Sequence, residues 1–325
     1  MQNSPRARKR WFWFAVKLAV SLVLLGWLFQ KFDLNLQSLK PVSYYPLVGA
    51  LAAACATIVA AAIRWQLILR LYSQRLPFRE TFRIQYVAAF MSQFLPGFVG
   101  ADAVRAYMAH RRGVRLALAV ASVMLDRAVA LLGLILIVAA TSPRILEVVK
   151  DGHLKQLLLG VTALLCAGTA ALIALSGPLH ELAVRFRWLS PFALLASGLR
   201  DIIRNARALA AVLSASVLMH ALFAVGLWAS LAAFGEQIPL WNVLAVFAPI
   251  ILFQILPVSI GGWGVRELMA VTMLAAIGVG GSQALAASII LGIVQTIACL
   301  PGSVAWFLHG GIRVGPERDR PSPQP

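Results

Sequence analysis

Two stretches of a chain rich in Ala, Leu and Val hold most of its membrane-depth polar chemistry: QFLPGFVGADAVRAYM at residues 93–108 and QILPVSIGGWGVRELM at residues 254–269. Laid over each other they pair Gln93 with Gln254, Pro96 with Pro257, Gly100 with Gly261 and Arg105 with Arg266, and an acid, Asp102 or Glu267, sits near each arginine. A guanidinium presents its donors in a fixed fork that matches a phosphate or a carboxylate bidentately. Near the start of a helix that returns from a break, it adds to the positive end of the helix dipole. Each arginine therefore reads as a phosphate receptor, as the partner of Asp102 or Glu267, or as a side chain snorkelling to the interface. Gln93 and Gln254 suit hydrogen bonds to broken backbone or to a polar ligand.

A third motif, SVMLDRAVALLG, places Asp126 and Arg127 about 16 Å into an apolar run at 1.5 Å per residue. A charge at the middle of a bilayer costs about 2.5 to 3.5 kcal/mol on insertion scales, so both must face protein or water. Neighbouring helical positions point about 100° apart, so these two do not neutralise each other. Arg105, Arg266, Asp102 and Glu267 are the available partners, with Arg266 the first candidate for Asp126 and Arg105 the next. A structural ion-pair network and direct ligand contact both fit these residues. His220, alone in its apolar run, reads as hydrogen-bonded packing before it reads as a proton relay.

The elements that position these residues are helices in a membrane. The chain has 325 residues, 60% hydrophobic and 13% charged, with a mean hydropathy of +0.82, outside the range of a soluble domain. Its apolar runs have the length of about 17 to 25 residues that crosses hydrocarbon as helix, without the alternation of barrel strands. The class is all-α and polytopic. Spans are expected at 11–29, 45–63, 116–140, 156–175, 208–234 and 284–308, about six in all, with shorter apolar stretches at 84–99 and 242–279.

Proline removes a backbone hydrogen bond and glycine eases unusual dihedrals. Pro96, Gly100, Pro257 and Gly261 are accordingly read as helix breaks, whose freed backbone groups need protein partners or a wet cavity.

Cytoplasmic loops carry excess Lys and Arg, which orients the chain. The basic N-terminus (1–10), the segment with Arg64, Arg70, Arg75, Arg79 and Arg83, and the segment 105–115 all read as cytoplasmic. The stretch 84–99 must then dip in and return. Continuing the alternation, 242–279 forms a second re-entrant hairpin entering from the opposite face. Span, hairpin, span at 45–140 and again at 208–308 make an inverted repeat, and transporters commonly bind substrate where such repeats meet.

Residues 180–207 mix Phe, Trp and Leu with Arg and read as an interfacial helix on anionic phospholipids of the cytoplasmic face. The tail 311–325 is expected to be disordered and cytoplasmic. The formal charge of +17 is spread over many short loops, so topology explains it better than nucleic acid does. Cys55, Cys166 and Cys299 form no spaced pair and suggest neither a disulfide nor a metal site. The motifs HExxH, GxSxG and Walker A are missing, so no enzyme and no cofactor is expected.

The motifs GADAVRAYMAHRRG, ASVMLDRAVALLGL and LPVSIGGWGVREL, in this order, resemble the membrane region of the lysylphosphatidylglycerol synthetase/flippase family in its stand-alone form, over about 10–310. The resemblance implies a lipid flippase of the bacterial inner membrane, with Asp102, Arg105, Asp126, Arg127, Arg266 and Glu267 at the family's polar positions. The synthase domain of the full-length relatives has no counterpart here. The alternative is a non-catalytic membrane partner of a lipid-modifying enzyme or glycosyltransferase. The expected partners are a membrane lipid substrate and either a second copy of the chain or an enzyme of lipid synthesis.

Overall fold

The structure, a computed structural model, describes residues 5–32, 43–95, 98–174, 190–254, 259 and 261–308. Every regular element among them is a helix: α1 (Pro5–Lys31), α2 (Tyr44–Leu71), α3 (Phe78–Phe94), α4 (Phe98–Arg111), α5 (Leu116–Val148), α6 (Gly152–Ala174), α7 (Ser190–Arg204), α8 (Ala206–Ala233), α9 (Leu240–Gln254), α10 (Val265–Ala275), α11 (Gly281–Cys299) and α12 (Pro301–Leu308). Four stretches, α2, α5, α8 and the run Gly281–Leu308, are long and apolar enough to cross a membrane. Large apolar side chains stay exposed on their outer faces, Leu136, Leu218, Ile293 and Phe307 among them, as helices solvated by lipid require. The chain is a multi-pass membrane protein.

Residues 44–148 (α2 to α5) and 206–308 (α8 to α12) repeat one plan. Helix α2 packs on α3, α5 and α11, while α8 packs on α9, α11 and α5. Likewise α3 meets α11 and α9 meets α5; α4 rests on α3 and α5, and α10 on α9 and α11. Exchanging the halves maps these contacts onto themselves. The most extensive contact joins the corresponding helices α2 and α8, and they run antiparallel. Ser43 N, before α2, donates to Ala233 O at the end of α8 (2.9 Å); Ala50 clusters with Ala229; and Arg64 Nη1 donates to Ser216 Oγ (3.3 Å). The halves are therefore inverted relative to each other.

Contacts between chain segments sort them into two ends. At one end Tyr72 Oη donates to Leu194 O (2.8 Å) and Arg112 pairs with Glu80 (3.2 Å), closing the base of the α3–α4 hairpin. Burial, and secondarily the charge of Asp201, raises the Tyr72 phenol above its ordinary pKa, so it remains a donor. At the other end Arg144 Nε donates to Asn242 Oδ1 (2.9 Å) and Ser282 Oγ to Phe32 O (3.0 Å). These are the segments that loop charge assigns to the cytoplasmic and the outer side respectively.

Several expectations change in detail. The span expected at 45–63 continues to Leu71, because Ala61, Trp65, Ile68 and Leu69 keep a buried stripe at helical spacing past Arg64. Arg64, expected in a loop, lies inside α2. Helix α3 ends at Phe94 and α4 begins at Phe98, so Gly100 sits in the first turn of α4 and is not itself a break. Its role is close approach: a Cβ there would lie 2.7 Å from the Cβ of Leu95. Of the interfacial helix expected at 180–207, the structure describes Ser190–Arg204. Leu195, Leu199 and Ile202 anchor it on Ile68, Leu125 and Val212, with Arg200 and Arg204 exposed. Pro96, Pro257 and the tail 311–325 lie outside the described residues.

The α5–α8 contact is close enough to test. A Cβ at Gly133 would meet Ser216 Cβ at 2.5 Å and the Ser216 carbonyl carbon at 3.2 Å, whereas Gly160 and Gly168 on α6 have nothing within 4 Å. Gly133→Ala should lower thermal stability in detergent by about 1 to 3 kcal/mol through overpacking. Gly160→Ala should be neutral or slightly stabilising, since alanine favours helix. Equal effects would contradict this packing.

Candidate functional site

The charged residues in the core form a chain of ion pairs. Asp126 on α5, 1% exposed, accepts from Arg64 Nε (2.7 Å) and Nη2 (3.2 Å) on α2 and from Arg105 Nη2 (2.9 Å) on α4. Asp102, one turn before Arg105, takes a bidentate pair from Arg127, Nε at 2.8 Å and Nη2 at 2.9 Å, and lies 3.6 Å from Arg105 Nη1. The sequence Arg64, Asp126, Arg105, Asp102, Arg127 thus alternates in sign and carries three guanidiniums for two carboxylates. Its formal charge is +1.

Aromatic packing holds the middle of this chain. Arg105 Cζ lies 4.6 Å from the Trp65 ring, a cation–π distance, and Trp65 Nε1 donates to Ser122 Oγ (3.2 Å). Trp65 is fully buried, so it fixes the plane on which Arg105 rests. The buried Nε of Arg105 has no hydrogen-bond partner. Arg64 also reaches the other half through Ser216 Oγ and the Met219 sulfur, each at 3.3 Å. His220 is spent on packing: its Nε2 lies 3.0 Å from Ala130 O across the α5–α8 contact.

These groups face a cavity of about 540 Å³ between the two halves. Arg64, Asp102, Arg105, Asp126 and Arg127 line it from the first half. Gln254, Ser259, Gly261 and Gly262 line it from the second, and Gln93 from the tip of the first hairpin. The end of α3 meets the turn before α10 there: a Cβ at Gly261 would lie 3.5 Å from Gln93 O, and Gln93 Oε1 accepts from Thr296 Oγ1 on α11 (3.3 Å). Gly261, Gly262 and Gly264 all have positive φ, which makes this tight turn accessible where a side chain would be strained.

Arg266 and Glu267 do not join this network. Glu267 Oε2 accepts from Gly264 N (2.7 Å), satisfying the first turn of α10, and Oε1 accepts from Arg266 Nε (2.9 Å) and from Arg266 Nη2. Ser288 Oγ completes the set at 3.4 Å, and Arg266 Cζ stacks 4.5 Å from the Trp263 ring. Neither residue lines the cavity. Of the readings open to Arg266, pairing with Glu267 is the one the structure takes, the long arginine arm curling back to its neighbour. Only the first hairpin delivers its arginine to Asp126.

Arg64 is the residue that sequence reasoning misses. It interrupts an apolar run and is taken for the start of a basic loop. The signal that reveals it is the stripe of Trp65, Ile68 and Leu69 that follows at helical spacing.

Removing one member of a buried ion pair strands the other and can cost about 3 to 5 kcal/mol, whereas removing both is often far milder. Asp126→Asn strands two guanidiniums and should lower detergent stability strongly, more than Arg127→Gln, which leaves two arginines facing two acids. Double-mutant cycles should show coupling of Asp126 to Arg64 and Arg105, and additivity with Arg266. Coupling to Arg266 as strong as to Arg64 would disprove this connectivity.

No curated protein matches the chain. A family model for the lysylphosphatidylglycerol synthase TM region matches residues 14–302, which takes in both halves, the ion-pair chain and the whole cavity wall, and the chain belongs to that family.

Proposed function

We propose that the protein moves a phosphate-bearing lipid between the leaflets of the bacterial inner membrane and performs no chemistry on it. One observation carries this reading: a cavity between two inverted halves is walled, among the described residues, by three arginines and two aspartates. A phosphate brings the charge the cluster lacks and can compete with Asp102 for Arg127, the half-exposed end of the chain of pairs. The apolar cavity walls, Ala54, Ile58, Leu131 and Phe223 among them, suit the lipid portion near the headgroup.

The membrane arrangement belongs to the same proposal. Helices α2, α5, α8 and α11–α12 cross, together with α1 and α6, which makes six spans with both termini cytoplasmic. Helices α4 and α10, of 14 and 11 residues, are about 21 and 16 Å long and too short to cross ~30 Å of hydrocarbon. They return to the side from which α3 and α9 enter, and the two hairpins enter from opposite faces. Arginines exposed at the cytoplasmic end, Arg70, Arg111, Arg115 and Arg204 among them, favour anionic phospholipids of that leaflet.

Access from the two sides tests the topology. In a protein lacking its native cysteines, His110→Cys should react with an impermeant thiol reagent only after the cells are opened, and Gly280→Cys in intact cells. Labelling of both from outside would refute opposed hairpins.

Transport tests the function. Purified protein in liposomes should speed exchange of a fluorescent phospholipid between leaflets; Arg105→Gln should abolish the exchange, and Arg105→Lys, which keeps charge but loses the fork, should retain part of it. No acceleration by the wild-type protein would favour a non-catalytic partner of a lipid-modifying enzyme.

A further inference from the structure

We infer that the lipid headgroup taken by this cavity bears hydroxyl groups beside its phosphate and no positive charge: a polyol phosphodiester, as in a glycerol or sugar headgroup. The inference rests on the reading of the arginine cluster as a lipid-phosphate site and concerns what else the headgroup carries.

The first observation is the state of the acids. A cationic headgroup, an ethanolamine or a lysyl ester, needs a carboxylate that is not already spent. Asp102 and Asp126 are the acids lining the cavity among the described residues, and each faces two guanidiniums. Glu267, the next acid in the second half, is consumed by Arg266 and the α10 first turn. An ammonium entering here meets a cluster of formal charge +1 with no acid to receive it.

The second observation is the neutral polar chemistry of the same cavity. Gln254 Oε1, Ser259 Oγ and Gln85 Oε1 are buried, line the cavity and have no hydrogen-bond partner. A buried polar atom left unpaired costs about 1 to 3 kcal/mol, so these groups await a ligand with complementary donors and acceptors. A hydroxyl is both donor and acceptor, and each primary amide presents both as well. Gln93 and Gln295 add further amides to the same lining.

Gln254 is moreover held in place. Its side chain rests on Gly262, where a Cβ would come 2.6 Å from its Cγ, and any side chain at that position would displace it. The lining therefore offers guanidiniums from the first half together with amides and a hydroxyl drawn from both halves. A phosphodiester bearing a polyol spans both, and an ammonium headgroup satisfies neither its own charge nor the amides.

Three short-chain lipids of equal acyl length separate the possibilities: dihexanoyl phosphatidylglycerol, dihexanoyl phosphatidylpropanol, which keeps the charge and loses the hydroxyls, and dihexanoyl phosphatidylethanolamine. Binding to the purified full-length protein is read by tryptophan fluorescence, Trp65 lying against Arg105. The glycerol lipid should bind about tenfold more tightly than the propanol lipid, the worth of one or two net hydrogen bonds, and the ethanolamine lipid most weakly. Gln254→Leu should bring the glycerol-to-propanol ratio close to one. Equal affinities of wild-type protein for the first two, or tightest binding of the ethanolamine lipid, would overturn the inference without reference to any variant. If those affinities are equal yet lost in Arg105→Gln, the hydroxyl inference fails and the phosphate reading stands. Loss of neither in Arg105→Gln, or binding of no lipid at all, defeats both. Discriminating binding without exchange in liposomes upholds the inference and removes only transport.

Discussion

A carboxylate deep among apolar helices is tolerable while its charge is met, and Asp126 is met from two directions by Arg64 and Arg105. The desolvation of such a group is large, and good geometry with further hydrogen bonds is what offsets it. Here the geometry ties three helices of one half together: α5 supplies the acid, α2 one arginine and α4 the other. Through Ser216, Arg64 carries the tie to α8 in the other half. Helix α4, the central helix pair and the charged side of the cavity are thereby tied together at this carboxylate.

The two halves share a contact plan and differ in chemistry. Both place an arginine after the break and stack it on a tryptophan, Arg105 on Trp65 and Arg266 on Trp263. In the first half the acid that answers the arginine lies on another helix, so the pair faces a shared space. In the second it is the next residue, and the pair is consumed in building the start of α10. Charge in the cavity lining therefore comes from the first half, while the second contributes apolar side chains with amides and glycines among them. An internal repeat can thus give the symmetry that inverted access requires without making its site symmetric.

Much of this was legible in the residues. Apolar run length gave the helices, the duplicated motif gave the paired hairpins, and Asp126 and Arg127 announced themselves because charge at that depth demands partners. The pairing itself was not legible. Sequence puts Arg266 first and Arg105 second as the partner of Asp126, and the structure reverses the order: Glu267, which accepts from Gly264 N, also holds Arg266, while Arg105 reaches Asp126. Arg64 was hidden for a related reason. A cation after an apolar run marks a loop unless a distant carboxylate exists to receive it, and that carboxylate lies on α5, far along the chain. Helix boundaries shifted where interhelical contact extended them.

The antiparallel seam of α2 and α8 also limits how the molecule can move. It is pinned near one end by the Ser43–Ala233 hydrogen bond and farther along by the bond from Arg64 to Ser216. A slide of one helical turn, about 5.4 Å, would break both bonds at once. Rolling of one helix about the other leaves the first nearly unstrained. The seam is then an axle with little axial play, and a rearrangement of the halves that spares these bonds is a rotation about it.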